Sequence, residues 1–186
     1  MSGAKPIIYL YPEVKTEINV KLGYPENITC SYPKYPNGGW KVEAEPNADL
    51  NYIKNQRELY SLYYENKTKI DFKVENEGFI VKSEDTAQFL EEKLEILGLN
   101  SKEAEEFIIY WLPRLEESNY NYIRFATEKE IEENMPLNIN PVPDTTIRVL
   151  MTYKGLEEPI QINEQELSTP KRTGYIAVEW GGVDLK

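Results

Sequence analysis

Asp144, Arg148 and Glu179 are the residues of this chain whose types and settings could carry chemistry. Asp144 stands beside a proline-rich turn, and Glu179 lies in a stretch that is otherwise apolar. A glycoside hydrolase needs only an acid and a base or nucleophile, two carboxyl groups about 5 to 9.5 Å apart. Other catalytic devices are scarce, because the 186 residues include no histidine and a single cysteine, Cys30. Serine–histidine and cysteine–histidine relays, imidazole metal sites and histidine pH switches are thereby excluded. No Asp-x-Asp-x-Asp-Gly loop offers calcium a site, so the sequence implies neither a metal nor a cofactor. With 32 acidic residues present, a carboxylate pair is easy to draw and weak as a catalytic signal. Asp144 equally suits a cap for its turn, and Glu179 equally suits a partner for Arg148 across adjacent strands.

The elements that must position these residues follow from apolar spacing. Ile7 to Tyr11, boxed by Pro6 and Pro12, is a continuous apolar run and predicts a central strand covered on both faces. Glu17 to Leu22 alternates as a half-buried strand; the same period groups Ile28, Cys30 and Tyr32, then Trp40, Val42 and Ala44, then Ile70, Phe72 and Val74. Cys30 is therefore expected inside, as a small core residue. Leu59 to Tyr64 reads as one more strand of uncertain register. At Ser83 the period becomes helical: Ser83 is placed to cap a first helix, Gly98 to stop it, and Asn100 or Ser101 to cap a second. Pro113 predicts a kink or an early end near Leu112. Thr127 with Glu130 forms a capping box for a short helix, and Leu137 to Ile139 resumes the sheet. In the strand Thr146 to Tyr153, Arg148 faces away from Ile147, Val149 and Met151. In the closing strand, Tyr175 to Trp180, Glu179 interrupts an apolar run before Gly181 and Gly182 release the chain.

The formal net charge is −11 and is concentrated, since Glu84 to Glu133 holds 14 acidic and 5 basic residues. Clustered lysine and arginine, which counterion release from nucleic acid requires, are missing, so nucleic acid is an unsuitable partner. The acidic segment reads as a solvated helical face or as a docking face for a cationic partner. No run of about 18 apolar residues could insert into a membrane, and the first residues lack the pattern of a secretory signal. Residues 1–4 read as an appended or disordered start, which leaves a cytoplasmic and an extracytoplasmic location both open. One cysteine allows no internal disulfide.

Three blocks carry a resemblance: Lys5 to Pro12, Tyr110 to Pro113, and Pro143 to Val149 with Val178 to Gly182. Together they resemble a family of uncharacterised microbial proteins that open with a Lys-Pro-Val-Ile-Tyr-Leu-Tyr-Pro-like strand and close near Glu-Trp-Gly-Gly. The resemblance implies one integrated domain and brings no activity with it. The expected fold is α+β: residues 1–186 as one domain, a mainly antiparallel sheet or sandwich with a helical hairpin inserted at 83–117. Fourteen tyrosines and three tryptophans suit a binding surface. Trp40 and Trp111 fall among core residues, which leaves Tyr35, Tyr63, Tyr120 and Tyr122 as the exposed candidates. The expected function is non-catalytic recognition of a protein or glycan, with Arg148, Glu179, Tyr9 and Tyr175 as ligand-binding candidates. A carboxylate-dependent, glycosidase-like hydrolase using Asp144 and Glu179 is the alternative. A structural surface β-domain is a third reading, although no lysine falls at a clearly inward position for an isopeptide bond.

Overall fold

The computed structural model describes residues 2–67 and 72–186. Strands β1 (Ser2–Tyr11), β2 (Thr16–Leu22), β3 (Ile28–Tyr32), β4 (Trp40–Ala44), β5 (Leu50–Tyr52), β6 (Arg57–Leu59), β7 (Leu62–Lys67) and β8 (Glu77–Lys82) precede the helical hairpin. The hairpin is α1 (Thr86–Ile96) and α2 (Ser101–Leu115). After it come β9 (Tyr120–Phe125), α3 (Glu128–Asn134), β10 (Leu137–Asn140), β11 (Thr145–Leu156), β12 (Asn163–Glu164) and β13 (Ile176–Asp184). These make an α+β fold that is mainly sheet, with one sheet ordered β12-β8-β9-β11-β13-β1-β7-β3 and a second ordered β10-β2-β4-β5-β6.

The continuous apolar run in β1 has a direct cause. β1 pairs with β13 on one edge and β7 on the other, and each of its faces packs into a core. Ile7 and Tyr9 point into the core beneath the hairpin, while Ile8 and Leu10 point into the core shared with the second sheet. The hairpin supplies its half by four-residue spacing: Leu90 and Leu94 from α1, and Phe107, Trp111 and Leu115 from α2, are all buried. Gly98, at φ +90, ends α1, and a reciprocal box between Asn100 and Glu103 opens α2. Thr127 and Glu130 make the same box at α3.

Several expectations are corrected. Cys30 is exposed, because β3 is the outermost strand beside β7 and pairs on one edge only among the described residues. Pro113 does not end α2, which continues to Leu115; it has no N–H for the Ile109 carbonyl, but the proline and Ile109 are both exposed, so water can meet that carbonyl. Ser83 does not cap a helix. It sits in a 3-10 turn before α1, and its hydroxyl donates to the carbonyl of Ser118 beyond α2. Residues 59–64 divide between β6 and β7, which belong to different sheets. Of the expected strand at Ile70, Phe72 and Val74, Ile70 lies outside the described residues, whereas Phe72 is buried and Val74 exposed in irregular chain. Residues Ser2 to Ala4 continue β1 past an irregularity at Lys5 and Pro6, with Gly3 opposite Val183 and Asn66. The closing strand runs on through Gly181 and Gly182 to Asp184; Gly182 is needed there because a Cβ would come within 2.6 Å of the Trp111 ring.

Candidate functional site

β11 and β13 are parallel neighbours with Arg148 directly opposite Glu179. Both side chains leave the hairpin face and enter the space between the large sheet, the second sheet and α3. Arg148 Nε donates to Glu179 Oε2 at 2.7 Å, and Tyr64 Oη donates to Oε1 at 2.6 Å. The remaining guanidinium nitrogens reach Glu132 Oε2 at 3.0 Å and the Met135 carbonyl at 2.5 Å. Burial works to lower the Arg148 pKa, but Glu179 beside it holds the balance above the usual value and keeps the cation charged. Burial, then the Glu179 charge, keeps the Tyr64 hydroxyl protonated well above the ordinary tyrosine range. Every polar atom of the pair is thus occupied from within the chain, as a buried ion pair demands.

Other sequence candidates are dispersed. Tyr9 lies on the opposite face of the sheet, where its hydroxyl donates to Glu106 at 2.5 Å and accepts from Trp180 Nε1 at 3.0 Å. The Tyr175 hydroxyl is buried with no hydrogen-bond partner among the described residues, and burial raises its pKa. Its backbone N–H donates to Asp144 Oδ2 at 2.8 Å, so Asp144 closes the turn before β13 from an exposed position. Tyr122 is buried, contrary to its expected exposure. Tyr35 is half-buried and packs edge-on against Trp40, while Tyr63, also half-buried, donates to Glu65. Glu103 escaped sequence reasoning as a polar centre: fully buried, it takes Tyr11 at 2.6 Å and both terminal nitrogens of Arg172 at 2.9 and 3.1 Å. The capping box spacing from Asn100 was the one signal available for it. Among the described residues no group of acidic residues and cysteine is arranged to hold a metal ion.

A broad concavity lies elsewhere, at the far edge of the large sheet. A groove of about 1190 Å³ runs along β8. One wall is α1, with Phe89 and Lys93, and the other is the stretch 159–164; half-buried Tyr120 closes one end. Phe79 meets Phe89 edge-on at 5.1 Å, and Lys93 Nζ lies 5.0 Å from the Phe79 ring centre, so the floor beside α1 is aromatic. β8 is nearly an open edge. β12 covers only Glu77 and Gly78, through Asn163 N to Asn76 O and Gln165 N to Gly78 O, both 3.1 Å. Those bonds set the phase of the strand: Gly78 faces outward, so Ile80 and Lys82 do too, while Phe79 and Val81 pair inward with Ile123 and Asn121. The Lys82 carbonyl is taken by Thr86 Oγ1 at 3.1 Å. The Ile80 N–H and C=O and the Lys82 N–H face the groove, with no backbone of the described residues paired to them. Sequence reasoning missed this feature, because it depends on how short β12 is.

Comparison with protein-family models, with curated proteins and with solved structures finds no match to this chain. Among the described residues no helix is long and apolar enough to cross a membrane.

Proposed function

We propose that this protein is a non-catalytic recognition domain that holds an extended segment of another polypeptide, added as a strand along β8. The observation that carries this reading is the outward-facing Ile80 N–H and C=O and Lys82 N–H on the floor of the groove, with no backbone partner among the described residues. Unpaired strand edges invite a further strand, and proteins that do not use them usually cover or charge them. Here the edge lies between the α1 wall, where Phe89 stands among Gln88, Glu92 and Lys93, and the 159–164 wall, which would give mixed apolar and polar pockets to alternate side chains of an incoming strand. Hydrolysis is less well supported, because Glu179 spends both oxygens on Arg148 and Tyr64 and Asp144 serves its turn.

The test uses peptides selected from a displayed random library on the immobilised protein. Ile80→Pro removes the outward N–H but no bond to β9, a setting in which an edge strand accommodates proline. The substitution is expected to weaken binding of the selected peptides at least about tenfold while circular dichroism stays native. Peptides that bind the folded variant as well as the parent would contradict strand addition.

A further inference from the structure

The groove continues past Lys82 into a second depression of about 540 Å³. Lys82 and Tyr120 line both. Five glutamates, Glu84, Glu116, Glu117, Glu157 and Glu158, line this second depression, and Lys82 is the one cation among its lining residues. Lys82 Nζ lies 3.7 Å from Glu84, and Glu157 accepts from Asn119 Nδ2 at 3.1 Å, which leaves most of the negative charge facing solvent. Three separate stretches of chain contribute these carboxylates: the entry to α1, the exit of α2, and the turn after β11. They converge only in the fold.

We infer, building on the strand-addition reading, that the occupant of the groove is an extended segment with alternating apolar residues beside β8 and lysines or arginines at the end that lies beyond Lys82. The two parts of the surface ask for different chemistry. Phe79 and Phe89 on one side and Ile160 on the other offer apolar contacts among polar neighbours such as Gln88, Glu92 and Gln161, and the Ile80 N–H and C=O suit a main chain. The glutamate-lined end is complementary to cations, and charge of this kind governs partner choice and rate of encounter more than raw affinity. A neutral apolar strand would leave this end unmatched, and an acidic one would be repelled.

The experiment reads the composition of the selected peptides, their salt dependence and two variants. Lysine or arginine is expected to cluster at one end of the selected sequences, next to an alternating apolar stretch. Affinity is expected to fall about tenfold from low to high salt as screening shortens. Glu157→Gln with Glu158→Gln is expected to reduce affinity about threefold to tenfold and to flatten that salt dependence. Selected peptides without basic bias that still lose binding to Ile80→Pro would overturn the charge inference and leave strand addition standing. Peptides that bind Ile80→Pro unchanged would overturn both. Concentration-dependent self-association that shields the Ile80 amide would identify a second copy of the chain as the occupant and overturn the basic partner.

Discussion

Whether Glu179 is a catalytic or a structural carboxylate turns on its lone pairs, and those are already spoken for by Tyr64 and Arg148. Glu179→Gln is expected to lower the unfolding free energy by about 2–4 kcal/mol in denaturant titrations, because it leaves Arg148 buried beside a neutral amide. Replacing Arg148 and Glu179 together by methionine and leucine should recover most of that loss. Peptide binding at the groove should be unaffected by Glu179→Gln; an unchanged stability with lost binding would show that the cluster is functional. Cys30, exposed on β3, is expected to react with a thiol reagent in the native state as fast as a free peptide thiol, and slow labelling would contradict its placement. The Arg148 and Glu179 pairing was legible in the sequence, since each interrupts an apolar alternation and a lone buried charge needs a partner. Tyr64 was not, because the register of its stretch could not be read until β6 and β7 were seen in different sheets. Cys30 was misread for a related reason: alternation gives a residue its face but not whether anything covers that face.

Among the elements, the hairpin was the most legible, because Leu90, Leu94, Phe107 and Trp111 keep helical spacing over several turns. Its helices bury those side chains against Ile7, Tyr9, Val149 and Trp180 of the large sheet, so it belongs to the core. Leu94→Ala or Phe107→Ala is expected to cost about 2–5 kcal/mol, the range for large-to-small changes at fully buried positions. Losses well under 1 kcal/mol at both positions would mean that the hairpin is peripheral. The β8 edge was illegible for the opposite reason. Glu77 to Lys82 has no strong period, and its exposure depends on Asn163 and Glu164, two polar residues about eighty positions later that form a strand only in context.

At the scale of the whole molecule, the central strands β1, β11 and β13 lie between the hairpin on one face and the second sheet with α3 on the other, and the hydrogen-bonding capacity left over is displaced to the sheet edges. Both edges of the large sheet differ in kind. β3 ends it on one side, whereas on the other β8, covered only in part by β12, lies on the floor of a broad groove. The acidic segment from Glu84 to Glu133 contributes Glu84, Glu116 and Glu117 to the far end of that groove, and sequence alone located the charge without showing what it surrounds. Recognition of an extended partner there is tested most directly by amide hydrogen exchange with and without a selected peptide. Strand addition predicts slowed exchange at Ile80 and Lys82, whose N–H groups face outward, with little change at Phe79 and Val81, which are already paired to β9. Unchanged exchange at Ile80 and Lys82 with the peptide bound would contradict it.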